Sequence, residues 1–450
     1  MFQEVWLVGA GGVALVLLML TVWKPAIAFY CWILLLPVQL EFMRDYIGVH
    51  FAPSDCLVPF MVIGVLADVL WRKKTFVIPR LLLPTAGLLF TFSISLFVGM
   101  EYLGYLSMYG FVNKLIGLML LIVSYLCGIF ILGRDREMFS FALNLLLISG
   151  FIVNTISLLA YVGHLAAGWE SPLVTSNRIS GLILDSNAMG GFLVAVFLIQ
   201  LAVLRGGHVS VLRHVMWANA VLMPVGIFLT FSRSAWMALA AGILTIACLW
   251  GRRPFVSLAA GAVMIALGGM GIYELSRWWV GEDEIADLAL RDSTVFSRLG
   301  FIEEGLTVWA DQPVFGIGLG SYLELNQWTA MIHNTYVWLL VDTGLMGLLA
   351  CGLVLLGVSR NLRAGLGYKG DLRVYAVGVT AAFVAMLTFM MGIEGLYQRH
   401  LWLLFVCSEF LARMTERQRQ VIFSAGEGCA RKVPTETVVS PPVSSGRGRT

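Results

Sequence analysis

Charge is what this sequence has least of. Asp, Glu, Lys and Arg make up 13% of its 450 residues, about half the share of a soluble globular domain. That scarcity excludes a chain that folds by burying one core against water. The seven cysteines (31, 56, 127, 248, 351, 407 and 429) show no C-x-x-C spacing, and six lie in apolar stretches. Neither a disulfide framework nor a zinc site follows from them. There is no H-E-x-x-H and no Asp-x-Asp pair on the side read below as outward, so no metal ligand set is expected. No glycine-rich loop opens a nucleotide-binding βαβ unit; no cofactor and no nucleic-acid partner are expected. Internal repeats are lacking too, which argues against the inverted halves of a transporter.

What the chain does have is apolar length. Hydrophobic residues reach 59%, with a mean hydropathy of +0.85. A surplus of this size needs a bilayer as solvent, and 14 Trp and 13 Tyr suit a protein with many membrane–water interfaces. Taking about 20 apolar residues per span, candidates fall at 5–23, 26–40, 55–71, 81–99, 111–132, 139–161, 181–204, 212–230, 234–250, 255–273, 333–358, 373–393 and 396–412. Two are short (26–40 and 396–412), so the reading is an all-α polytopic membrane protein of 12–13 transmembrane helices. The first segment has no basic n-region or clean A-x-A site and reads as a retained span.

Lys and Arg set the orientation. One set of alternating loops, with the C-terminal tail, holds 22 of the 30 basic residues, including Arg72, Lys73, Lys74, Arg80, Arg360, Arg363, Lys369 and Arg373. That side is read as cytoplasmic. The large loop 274–332 then faces outward, carrying short helices. Three regions follow: N-terminal helices over 1–161, a core over 162–412 that includes this loop, and a tail over 413–450. From about 420 the tail is rich in Pro, Ser, Thr and Gly and is expected to be disordered.

The basic residues left on the outward side invite an explanation. Arg178 closes the loop 162–178, Arg233 sits in the hairpin "TFSRSAW", and Arg298 lies in the long loop. A guanidinium at membrane depth costs about 2.5–3.5 kcal/mol on insertion scales, so such residues are usually paired or functional. Alone, each reads equally as an interfacial anchor tied to Asp185, Glu303 or another carboxylate. Together, beside one histidine, they point to an anion site; the planar fork of Arg suits a diphosphate. After Arg298 the apolar residues Leu299, Ile302, Leu306 and Trp309 recur at helical spacing. The run Gly316-Ile-Gly318-Leu-Gly320 then reads as a tight re-entrant turn rather than a phosphate cradle. His333, followed by Asn334, stands where the outward loop re-enters the membrane. It reads either as an interfacial helix cap or as a neutral imidazole able to take a proton from a hydroxyl. His164 and His400 share the outward side in weaker surroundings.

The stretches "NRISGLILDSNAMGGFL", "TFSRSAWMALAAGIL", "SRLGFIEEGLTVWADQPVFGIGLGSY" and "HNTYVWLLVDTGLMGLL", in this order over about 177–350, resemble the O-antigen ligase and polysaccharide polymerase superfamily of bacterial inner membranes. The first spans match it in hydropathy only. The resemblance implies a membrane glycosyltransferase, GT-C-like in fold, that needs neither metal nor nucleotide. Its donor would be a polyprenyl-diphosphate-linked glycan and its acceptor the hydroxyl of a glycolipid or glycan at the periplasmic face. Polysaccharide export or chain-length proteins are implied as partners. The family's essential histidine would fall on His333 and its functional arginines on Arg178, Arg233 and Arg298, with Asp185, Asn187 and Asn334 in support. A repeat-unit polymerase shares the same donor. A transporter or flippase for the lipid-linked glycan is the reading from another class, and would need polar residues near the midplane of several spans.

Overall fold

The computed structural model describes residues 16–39, 52–75, 77–133, 135–206, 213–250, 298–326 and 331–430. The expected span 255–273, residues 274–297 of the large loop and the chain after 430 lie outside these residues.

The described chain is almost wholly helical. The helices are α1 (Ala26–Leu34), α2 (Val58–Leu70), α3 (Leu82–Leu103), α4 (Gly117–Leu132), α5 (Arg136–Ala167), α6 (Ser186–Arg205), α7 (Arg213–Leu229) and α8 (Arg233–Trp250). Then come α9 (298–309), α10 (Ser321–Leu325), α11 (Thr335–Gly365), α12 (Leu372–Phe389) and α13 (Arg399–Ala430). A π-helical turn, Tyr109–Ile116, leads into α4. The β content is one hairpin, β1 (Val174–Thr175) paired antiparallel with β2 (Arg178–Ile179). Seven of the described helices are long and apolar enough to cross a membrane, so the chain is an all-α polytopic membrane protein.

α6 is the centre of the bundle: 78% of its apolar window is buried inside the protein. Small residues let its neighbours close on it, as expected where lipid supplies no hydrophobic drive between helices. A Cβ added at Gly378 of α12 would sit 3.0 Å from the Cα of Ile199, and one at Gly190 would sit 2.7 Å from the Cβ of Ala235 in α8. α6, α8 and α12 therefore pack against one another. α11 lies between α3 and α13, and α13 reaches back to α4.

Several boundaries differ from the sequence reading for local reasons. α1 has nine residues, too few to span a bilayer. α6 starts at Ser186 rather than 181, because Asp185 caps it by accepting from the Ala188 N–H at 2.6 Å. α13 runs beyond 412 to Ala430. Its extension is tied down by Arg80 on Glu416 and by Gln418, which donates to the Lys369 carbonyl at 2.7 Å. These contacts, with Arg413 donating to the Ile78 carbonyl at 3.0 Å, gather the basic loops at one end of the bundle.

α11 is broken. Gly344 has φ 66° and ψ −168°, and the loop before α10 fills the break. The amides of Ile317 and Gly318 donate to the carbonyls of Val341 and Asp342, while those of Leu345 and Met346 donate to Pro313 and Val314. Gly316, Gly318 and Gly320 all have positive φ (71°, 112° and 82°), and added Cβ atoms would collide with Asp342, Gly99 and Gly110. The glycine run is a re-entrant turn buried against α3 and the π-helical turn, with Ile317 and Leu319 fully enclosed. Irregular backbone of this kind is tolerated at membrane depth when protein covers it and its polar groups are satisfied.

Candidate functional site

The site grows from four connections at the other end of the bundle. The β-hairpin before α6 turns through Ser176 and Asn177, both at positive φ, and His164 Nε2 donates across to Asn177 Oδ1 at 3.0 Å. The hairpin sets Arg178 on β2. Its Nε donates to the Thr230 carbonyl at 2.8 Å and its Nη2 to Asn187 Oδ1 at 3.0 Å. Thr230 belongs to the turn between α7 and α8, and Arg233 opens α8 with its side chain exposed. Two of the three arginines expected at the site are thus joined through one turn.

Arg298 is the first described residue of α9 and is half-buried. Burial first, then the charge of Arg233, lower its proton affinity, while Asp185 opposes them. Neither Arg233 nor Arg298 has a hydrogen-bond or ion-pair partner among the described residues. α9 packs on the core through Phe301, Ile302, Val308 and Trp309. Leu299 and Leu306, expected on the packed face, are 57% and 37% exposed. The helix is rotated because Gly305 is what abuts Ile332 and Val341.

His333 precedes α11 in a segment pinned from two sides. Asn334 caps α11 by accepting from the Tyr336 and Val337 amides at 3.0 and 3.1 Å. Thr335 donates its hydroxyl to the Ile393 carbonyl at 2.7 Å and its amide to the Met390 carbonyl at 2.9 Å. The His333 ring keeps an exposed edge. Desolvation by the surrounding protein, then the Arg298 charge, hold it below its ordinary value of 6.5, against Asp185 and Glu394. The imidazole is therefore biased towards its neutral, proton-accepting form.

Arg233, Arg298, Asp185 and His333 are electrostatic neighbours, and Arg178 with Asn187 adjoins the Arg233 turn. Asp185 does not hold Arg178: its carboxylate caps α6, and Asn187 does the orienting. His400 is buried, only 5% exposed, with its Nε2 3.3 Å from Met386 Sδ.

Sequence reasoning missed a buried charged cluster beneath His333. Lys114 forms an ion pair with Glu394, its ammonium lying 4.6 Å from the Trp338 ring centroid and 4.8 Å from that of Tyr397. Beside it, Asp342 accepts from the Gly320 amide and from Trp338 Nε1, each at 2.9 Å. The signal was available: a lysine inside "FVNKLIGLML" and an aspartate inside "VWLLVDTGLMGLL" are charges where a membrane protein tolerates few. Polar groups are therefore not confined to the outward edge.

No curated protein matches the chain. Residues 218–352 match the family model described as O-antigen ligase. The match takes in Arg233, Arg298, His333 and Asn334 and leaves Arg178, Asp185 and Asn187 outside it. Over residues 218–352, less than a third of its length, this multi-pass membrane protein is thus similar to the O-antigen ligase family.

Proposed function

We propose that this chain moves a glycan from a polyprenyl diphosphate to an acceptor hydroxyl, at the His333 end of the bundle, on the periplasmic face of a bacterial inner membrane. The observation that carries this reading is the meeting of Arg233 and Arg298 with His333 beside the anchored Arg178. Guanidinium groups without a partner among the described residues, next to a neutral imidazole, supply the two things the reaction needs.

In the proposed step the His333 imidazole takes the proton of the acceptor hydroxyl. The oxygen attacks the anomeric carbon, and the bond from that carbon to the diphosphate oxygen breaks. The bonding pair leaves with the diphosphate, where Arg178, Arg233 and Arg298 meet the developing charge. In-line attack inverts the anomeric centre. Asn187 orients Arg178, Asn334 fixes the segment that carries His333, and Asp185 balances the charge of Arg298. No residue here requires a metal ion for this step; activity in excess EDTA is the corresponding expectation.

The test is His333→Ala in the producing cell, followed by analysis of surface polysaccharide and of glycans left on the lipid carrier. Loss of surface polysaccharide with normal membrane insertion is expected, and normal polysaccharide overturns the reading. The accumulated carrier species separates the two reaction types. Long chains on the carrier mean a ligase; single repeats mean a polymerase.

A further inference from the structure

The end of the bundle opposite His333 carries a second built feature that the transfer reaction does not use. α3 and α11 lie side by side there, and the groove between them holds about 690 Å³. Its walls are apolar and turned outward, with Leu83 82% and Leu353 59% exposed. Its floor is made by glycines. A Cβ added at Gly87 would meet nothing within 4 Å.

The closed end of this groove is polar. Arg80, Arg360 and Asn361 line it. Asn361 is 4% exposed, and its Oδ1 accepts from Arg80 Nη1 at 3.4 Å, which turns its amide nitrogen away from Arg80. That Nδ2 is buried and has no acceptor among the described residues. Arg80 shares its other fork with Glu416, and its backbone amide donates to Glu409, whose charge is met by Arg413. Arg360 is exposed with no ion-pair partner among the described residues. That end is left with net positive charge at the head of an apolar channel.

We propose that this groove binds one anionic phospholipid. An acyl chain lies over Gly87 between Leu83 and Leu353, and the phosphate accepts from Arg360 and Arg80. Basic pockets between membrane helices recognise anionic headgroups in this way. A zwitterionic lipid brings a cation to the same arginines and is disfavoured. Arg360 lies 25 residues along α11 from Thr335, roughly 37 Å at the rise of an α-helix, so the site is separate from the proposed chemistry.

The test uses the full chain, purified in detergent, stripped of lipid and incubated with vesicles of pure phosphatidylglycerol or pure phosphatidylcholine. Lipid retained per chain after repurification is then measured. Preferential retention of phosphatidylglycerol is expected, lowered about fivefold by Arg360→Gln and abolished by Gly87→Leu, which fills the channel. Glycerol phosphate in excess should fail to compete, since it lacks the chain. Equal retention of both lipids, or unchanged retention in Arg360→Gln, overturns the proposal; competition by glycerol phosphate overturns the lipid assignment in favour of a bare anion site. Arg360→Gln alters an exposed side chain, so its arm decides even where Gly87→Leu fails to fold.

Discussion

Arg178 Nε donates to the carbonyl oxygen of Thr230 at 2.8 Å, latching the hairpin before α6 to the turn that carries Arg233. The two arginines are 55 positions apart in sequence, yet one backbone carbonyl fixes their relation. The guanidinium has a further fork for Asn187, so its plane as well as its position is set.

Asn187→Ala should therefore weaken transfer without removing any charge. A hydrogen bond to a charged group is worth about 1.5–3 kcal/mol, so the rate at low donor concentration should fall roughly tenfold to a hundredfold. Arg178→Lys should do at least as much, because an ammonium cannot hold Thr230 and Asn187 in one plane. Transfer assays in membranes check both; full activity in both variants would show that Arg178 is only an anchor.

The pH profile carries the signature of His333. A base whose proton affinity is lowered stays neutral below its ordinary value of 6.5, and activity is lost only as pH falls through that lower value. The acid limb should accordingly lie below 6.5. Arg298→Gln removes a charge that disfavours the imidazolium, so the limb should move to higher pH. A profile that ignores Arg298 would detach this arginine from the histidine.

Gly318→Ala should abolish the fold. Its φ is 112°, and the new Cβ would lie 2.1 Å from the Cα of Gly99, backbone against backbone. Strain alone costs about 1–3 kcal/mol, and the clash adds to it. Gly300→Ala, where an added Cβ meets nothing within 4 Å, is the matched control. Monodispersity in detergent and thermal unfolding report the contrast.

Lys114→Met should destabilise strongly, since it leaves Glu394 as an uncompensated charge in an enclosed site. Breaking such a pair from one side costs about 3–5 kcal/mol. Replacing both partners by apolar residues of similar volume should recover much of that loss. Thermal unfolding of the two single variants and the double variant measures the coupling, and additive effects would contradict a buried pair.

The membrane class, most of the spans and the candidate residues were legible in the sequence because they depend on local quantities. Apolar run length decides what can cross a bilayer, and a guanidinium or imidazole at an outward edge is conspicuous wherever the chain goes next. The glycine run was readable as a turn for the same reason: three alternate glycines permit positive φ. What the turn enters was not readable. The break at Gly344 follows Asp342 and Thr343 inside a long, otherwise apolar stretch, and it exists because the Pro313–Gly318 backbone supplies the hydrogen bonds that α11 gives up there.

The sequence by itself determined that this protein lives in a membrane and which side chains are costly enough there to need a reason. Only the tertiary structure decided which of those reasons apply. It gave Asp185 to a helix cap, Asn187 to Arg178, His400 to the packed interior and Lys114 to Glu394, since hydrogen-bond partners and burial are set by elements distant in the chain. No local pattern encodes a partner 280 residues away.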